Sequence, residues 1–140
     1  MWLIFSLLSA ITAAGVAIFA KMGLKNIDTT LATTIRSIIM AAFLVITSLS
    51  FGKFRGFSFQ SLNGREWILI ILAGLSGALS WLFYFLALKI GLATKVVTVD
   101  RLSLVFVIIL ASIFLGEVLT WRTVLGALLM ISGALVVTLK

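Results

Sequence analysis

The sequence predicts an all-α membrane protein built as a bundle of five transmembrane helices. Hydrophobic residues make up 63% of the 140 residues, and the mean hydropathy of +1.32 is too high for a soluble domain. The eleven basic and four acidic residues divide the chain into apolar runs of about 20 residues, the length that crosses a bilayer as a helix. These runs are continuous over far more than the ~10 residues of a membrane β-strand. The fold class is therefore all-α.

The first three helices are recognised by the scarcity of charge. Helix one, at about 2–20, contains no charged residue before Lys21. Helix two, at about 29–51, contains a single one, Arg36, and helix three, at about 67–88, contains none. Each of these segments is long enough to span the hydrocarbon core.

The last two helices carry charge near their first turns. Helix four, at about 96–116, contains Asp100 and Arg101. Helix five, at about 120–139, contains Arg122 near its start. Both segments are otherwise apolar, so both are predicted to span the membrane.

The connections between these helices are short. The longest runs over residues 52–66, which leaves no room for an extramembrane domain, and residues 1–140 are predicted to form one five-helix domain. We interpret the N-terminal segment as the first transmembrane helix. A cleaved signal peptide is disfavoured because no basic residue precedes Trp2.

Composition argues against several classes of function. The net charge of +7 would suggest nucleic-acid binding in a soluble protein, but here the basic residues lie at helix ends, where membrane insertion favours them. The chain has no His and no Cys with which to build a transition-metal site. It has no pair of carboxylates at catalytic spacing, no Gly-rich phosphate loop and no nucleophile elbow. We therefore expect no nucleic-acid partner, no cofactor and no enzymatic activity.

The distribution of basic residues gives a weak prediction of orientation. Five helices place the two ends of the chain on opposite sides, here named side A for Met1 and side B for Lys140. Side A receives four basic residues, Lys53, Arg55, Arg65 and Arg122, and side B the other seven of eleven. This excess favours a cytoplasmic side B, with the N-terminus outside and the C-terminus inside. Omitting the embedded Arg36 and Arg101 reduces the difference to five against four.

Three charged residues are predicted to lie at similar depths near side B, because helices two and four both begin there. At 1.5 Å per residue, Arg36 lies ~12 Å along its helix and Asp100 roughly 8 Å along its own. Adjacent residues of a helix point about 100° apart, so Asp100 and Arg101 do not face one another. An embedded charge costs on the order of 2.5 to 3.5 kcal/mol. This favours pairing of Asp100 with Arg36 across the bundle, while Arg101 extends towards side B.

This charged cluster has two interpretations. It lines a polar pocket that binds substrate or carries a proton, as embedded ionisable residues commonly do. Alternatively it is a structural ion pair, or its side chains simply snorkel near a helix end, where Asp100 is also stabilised by the helix dipole.

Helix three contributes polar aromatic residues. Trp81 follows Gly77 by four residues and Tyr84 follows Ser80 by four, so each small residue is expected to make space for a large ring. Both rings lie deeper than the belt where Trp and Tyr usually anchor a helix. They are predicted to form the wall of a substrate site, with a packed core as the alternative.

The remaining charged groups are assigned to helix ends. Glu117 ends helix four and Arg122 begins helix five, and they are expected to form a salt bridge across the turn. Four lysines are interpreted as topology markers, with a basic vestibule for anionic metabolites as the alternative: Lys21, Lys25, Lys89 and Lys95.

Small residues recur at helix-packing spacing, and Gly126 and Gly133 lie seven apart on the last helix. Such positions let helices approach closely. We expect packing within one chain rather than a dimer seam.

The C-terminal part of the chain resembles a known family. FLGEVLTWRTVLGALLMISGALVV, residues 114–137, is similar to the end of helix four, Gly-Glu turn and Gly-spaced helix five of the EamA-type drug/metabolite transporter superfamily. Glu117, Gly126 and Gly133 fall at matching positions. The resemblance covers nearly the whole chain and is to the short bacterial and archaeal members with one five-helix unit.

Weaker similarities lie elsewhere. They include Lys21 with Gly23, Arg36, the segment FYFLALKIGLAT at 83–94, and VDRLS at 99–103, which looks like the signature of single-unit members. A Pro common near the start of helix four in longer relatives is missing, which argues against a broken-helix binding site there. Four-helix multidrug relatives have an acidic residue in helix one, and its absence here disfavours proton-coupled cation export by that route.

The resemblance implies a secondary transporter of small metabolites or drugs in the plasma membrane. Longer relatives join two inverted five-helix halves around a central cavity, so one unit is expected to act as a homodimer, with antiparallel protomers, and the near balance of basic residues is compatible with this. The expected solute contacts are Arg36, Trp81, Tyr84, Asp100 and Arg101. Asp100 and Glu117 are the carboxylates expected to take up a proton. The alternatives are a non-transporting subunit or anchor of another complex, and a lipid-flippase subunit.

Overall fold

A computed structural model of the protein describes residues 1–58 and 62–139. Over these residues the structure is helical, with no strand, and the elements are α1 Trp2–Gly23, α2 Thr29–Ser50, α3 Gly64–Ile90, α4 Ala93–Asp100, α5 Ser103–Leu115 and α6 Trp121–Thr138. Five stretches are long and apolar enough to cross a membrane: α1, α2, α3, α4 together with α5, and α6. The prediction of an all-α membrane protein is confirmed. Lys140, assigned above to side B, lies outside the described residues.

The internal apolar core of the described residues is small. Its buried side chains are few: Ala17, Leu24, Phe85, Leu88 and Ala134. Large apolar side chains along the spans are instead exposed on the isolated chain, as Phe83 is at 65%. The helices satisfy their own backbone hydrogen bonds, which is what a spanning segment must do in hydrocarbon.

The starts of α2 and α3 are fixed by capping side chains. The Asp28 carboxylate accepts hydrogen bonds from the backbone N–H groups of Thr30, at 2.9 Å, and Leu31, at 3.0 Å. Asn63 and Glu66 form a reciprocal box, in which each backbone N–H donates to the other's side chain at 2.9 Å. This box explains why α3 begins at Gly64, three residues before the predicted start.

The chain divides into two compact units. Residues Met22–Lys89 form one, which contains α2 and α3, and Met1–Lys21 with Ile90–Lys140 form the other, which contains α4, α5, α6 and most of α1. Within the second of these units, α6 packs against α4 and α5.

The structure divides the predicted fourth helix into two. The N–H of Arg101 still donates to the carbonyl of Val97, four residues back, at 3.1 Å. The next N–H, of Leu102, donates to Val99, three residues back, at 2.9 Å, and Leu104 donates to Arg101 in the same way at 3.1 Å. A tightened turn therefore separates α4 from α5 without any Pro. It follows the β-branched run at 96–99, which has lower helix propensity.

The connection from α5 to α6 is stabilised by a backbone hydrogen bond and not by an ion pair between side chains. Gly116 adopts a left-handed conformation with φ of 68°, and the Glu117 N–H donates to the Ala111 carbonyl at 3.3 Å. The expected salt bridge between Glu117 and Arg122 is wrong, since no ion pair joins them among the described residues. Both side chains are exposed, where an ion pair gains little.

Candidate functional site

The guanidinium of Arg36 lies on the ring of Trp81. Its Cζ atom is 3.6 Å from the Trp81 ring centroid and 5.7 Å from that of Phe85. Arg36 is the only charged residue within α2, and α3 presents Trp81 and Phe85 four residues apart on one face. A cation over an indole face is stabilised by the quadrupole of the ring, more strongly when water is excluded.

Aromatic contacts hold Trp81 in place. Its ring meets Tyr84 edge to face at 5.5 Å and 86°, and meets Phe85 at 5.9 Å and 87°. Phe85 is 3% exposed, whereas Trp81 and Tyr84 are half-buried. The predicted reason for this arrangement is wrong in one respect. A Cβ built at Gly77 meets no described atom within 4 Å, so Trp81 does not require a glycine there.

The guanidinium of Arg36 has unused hydrogen-bonding capacity. Its Nη1 atom is buried without a hydrogen-bond partner among the described residues. The unit Met22–Lys89 contains two acids, Asp28 and Glu66, and both are engaged in helix caps. Within this unit, the positive charge of Arg36 is therefore balanced by aromatic contact and not by a carboxylate.

The other predicted site residues lie in the second unit. Asp100 is the last residue of α4, and Arg101 follows it in the tightened turn, with both side chains exposed on the isolated chain. Glu117 is exposed beyond the end of α5. The structure thus brings three of the predicted site residues together, because Trp81 contacts both Arg36 and Tyr84. The pairing of Asp100 with Arg36 stays a prediction.

A hydroxyl-lined groove runs along α2 and α3. Its volume is about 520 Å³, and its lining comprises Thr30, Thr33, Thr34, Ser37, Ile38, Ala41, Leu75, Ala78, Leu79 and Leu82. The hydroxyls of Thr33, Thr34 and Ser37 donate to carbonyls four residues back at 2.7 to 2.9 Å, so their oxygens can only accept further hydrogen bonds. This groove was not predicted from the sequence. The sequence pattern that indicates it is the helical spacing of four hydroxyl residues, which places them on one face of α2: Thr30, Thr33, Thr34 and Ser37.

Three lysines tie helix ends to backbone carbonyls. Lys21 Nζ donates to Gly91 at 2.7 Å, Lys89 Nζ to Ile27 at 3.0 Å and Lys95 Nζ to Thr138 at 2.9 Å. The carbonyls of Gly91 and Thr138 lie at the C-terminal ends of α3 and α6, where an intrahelical donor is lacking and an ammonium is a favourable partner. The Ile27 carbonyl lies in the connection before α2. These lysines therefore have a structural role besides the predicted one of marking topology.

The chain was compared with known proteins. The model of the EamA-like transporter family matches residues 1–139. A protein of Sinorhizobium sp, described as an uncharacterized transporter in the cobO 3' region, is 39% identical over 134 residues, which cover 96% of this chain and 94% of that protein. No solved structure matches.

Proposed function

The chain belongs to the EamA-like transporter family, and from this we propose that it carries a small organic solute, a metabolite or drug, across a bacterial or archaeal plasma membrane. It is a multi-pass membrane transporter with five spanning segments. The proposed mode is secondary transport, in which an ion or solute gradient supplies the energy. For a single protomer, the excess of basic residues supports an orientation with side B in the cytoplasm.

The contact between Arg36 and Trp81 supports this proposal most directly. A guanidinium within an apolar span is costly, and such residues usually mark a substrate or ion path. Here the cation is held at 3.6 Å from a ring centroid, with one buried donor atom unused among the described residues. A bound solute in contact with Arg36, Trp81 and Tyr84 would use both the charge and the rings.

The proposed coupling groups lie on the other unit. Asp100 stands at the tightened turn between α4 and α5, where the backbone hydrogen bonding changes spacing. A carboxylate at such a point can gain or lose a proton while the turn changes conformation. We assign proton uptake to Asp100, with Arg101 as its polar neighbour and Glu117 as a second carboxylate.

The proposed assembly is a homodimer in which the two protomers are antiparallel. The near balance of basic residues on sides A and B is compatible with insertion in both orientations. A Cβ built at Gly126 or Gly133 meets no described atom within 4 Å, so the close packing within the chain expected at these glycines is not observed. This face of α6 therefore has room for another helix. Light scattering of Gly126→Leu in detergent tests this. Loss of the dimer supports it, and an unchanged dimer contradicts an interface at this face.

Solute uptake by purified protein in proteoliposomes tests the function. A broad set of labelled metabolites and drugs is screened with the wild type, Arg36→Gln and Arg122→Gln. Arg122 is the matched control because it is an exposed arginine near the start of α6. Uptake lost in Arg36→Gln and kept in Arg122→Gln supports the proposal. Uptake unaffected by Arg36→Gln contradicts the site, and a protein that moves no solute but copurifies with another polypeptide is a non-transporting subunit.

A further inference from the structure

We infer that the Arg36 site recognises an organic anion whose carboxylate binds the guanidinium and whose apolar body rests against the aromatic rings. This inference rests on the proposed function of the same site and names its class of substrate. Four features of Arg36 and its surroundings support it.

Arg36 has hydrogen-bonding capacity that its described neighbours leave unused. A guanidinium carries five N–H donors, and contact with an indole ring supplies no oxygen acceptor to any of them. Cζ lies 3.6 Å from the Trp81 centroid, and Nη1 is buried without a partner among the described residues. A buried charged donor without an acceptor is unfavourable, so a ligand that supplies the acceptor is stabilised.

The described residues of the unit Met22–Lys89 supply no such acceptor. The Asp28 carboxylate accepts from two N–H groups at the start of α2, about two helical turns before Arg36. The Ser37 hydroxyl, adjacent in sequence, donates to the Thr33 carbonyl at 2.8 Å. A carboxylate is the acceptor that fits best, because its two oxygens match two parallel N–H groups of one guanidinium.

The rings define the rest of the ligand. Trp81 and Tyr84 are half-buried and meet edge to face, so they offer apolar surface beside the charge. Trp81 is further fixed by Phe85, which is nearly fully buried. A ligand with an aromatic or branched aliphatic body would pack against this surface.

The same geometry disfavours cationic solutes. An exposed indole face is a good site for a cation, but Arg36 already covers one face of Trp81. The positive charge of Arg36 also repels a cationic solute that binds beside it. The site is therefore selective for negative over positive charge.

Binding of three probes of similar shape tests this inference. Benzoate, benzyl alcohol and benzylammonium are titrated against the purified full chain in detergent. Benzoate is expected to bind at least tenfold more tightly than benzyl alcohol, with no saturable binding of benzylammonium. Equal binding of all three, or preference for benzylammonium, overturns the inference without the need for any variant.

Variants locate the binding. Arg36→Gln should abolish benzoate binding, and Arg36→Lys should weaken it at least tenfold, because an ammonium does not offer two parallel donors. Arg122→Gln should leave it unchanged. Benzoate binding that survives Arg36→Gln overturns the inference, as does binding that appears only in Asp100→Asn, which would identify Asp100 as the resident partner of Arg36.

The two proposals fail in different ways. Uptake that depends on Arg36 but selects neutral or cationic solutes retains the transport proposal and rejects an anionic substrate. Benzoate binding at Arg36 without uptake of any solute retains the anion site and rejects transport.

Discussion

Arg36 of α2 and Trp81 of α3 are stacked, with the guanidinium carbon 3.6 Å from the centroid of the indole ring. This contact joins the two helices of the unit Met22–Lys89 at the embedded charge of α2. The Nη1 atom of Arg36 has no hydrogen-bond partner among the described residues. One side chain can thus stabilise the helix pair through its contact with the ring and bind a solute through an unpaired N–H group.

Replacement of Trp81 should weaken both roles. Trp81→Leu removes the cation–π contact and two edge-to-face contacts and should lower the free energy of unfolding by about 1 to 2 kcal/mol. Denaturant unfolding in detergent measures this. Trp121→Leu is the matched control, because Trp121 is 74% exposed. Equal losses of unfolding free energy in the two variants would show that the contact between Arg36 and Trp81 does not stabilise the fold.

Neutralisation of Asp100 should stop transport and leave membrane insertion intact. Asp100→Asn keeps the size of the side chain and removes the group proposed to carry a proton. Uptake in proteoliposomes gives the result, and the yield of inserted protein serves as the control for folding. Equal uptake by the variant rejects the role of Asp100. Loss of uptake in Glu117→Gln alone would transfer the coupling role to Glu117.

Removal of the Lys95 ammonium should loosen the end of α6. Lys95→Met loses the hydrogen bond to the Thr138 carbonyl, which contributes about 1.5 to 3 kcal/mol for a charged donor that is partly buried. Hydrogen exchange of the backbone amides in the last turn of α6 should become faster. Lys25→Met removes the same charge from the same predicted side and serves as control, since Lys25 is exposed. Equal exchange in both variants argues against this role for Lys95.

Acid should destabilise the start of α2. Hydrogen bonds from the Leu31 N–H first, and also from Thr30, hold the pKa of Asp28 below its usual range, with a smaller contribution from the charge of Lys89. A carboxyl whose pKa is lower in the folded state stabilises that state above its unfolded pKa of about 3.9, and this stability is lost as pH falls through the folded value.

Hydrogen exchange at the first turn of α2, measured from pH 6 down to pH 3, tests this cap. The analysis corrects for the intrinsic pH dependence of exchange, and protection should fall with acid in the wild type. Asp28→Asn should retain a cap and lose the acid dependence, while Asp28→Ala should be unprotected throughout. An acid dependence that persists in Asp28→Asn would assign it to another group.

The spans could be predicted from sequence because each depends on local composition. Continuous apolar runs separated by charged residues give both the number of spans and their approximate bounds. Helix α2, for example, ends within one residue of its predicted end. Helix α3 begins earlier than predicted because Asn63 and Glu66 form a capping box, whose spacing is visible in the sequence. The helical face of threonines on α2 was likewise visible in the spacing.

Contacts between helices could not be predicted in the same way. Arg36 and Trp81 were each singled out, but their stacking depends on the rotation and register of α2 against α3, which no local pattern specifies. The lysine hydrogen bond to Thr138 joins residues 43 apart in sequence. The interruption after Asp100 arises without Pro, from a combination of β-branched and charged residues whose effect on a helix is small at each position.

The most direct test of the account is the fluorescence of Trp81 itself. A variant with Trp2, Trp67 and Trp121 replaced by Phe retains a single indole, at the proposed solute site. A solute that the protein transports should change the Trp81 emission saturably, and Arg36→Gln should remove that change. A transported solute that leaves the Trp81 emission unchanged at saturating concentration would contradict the placement of the site.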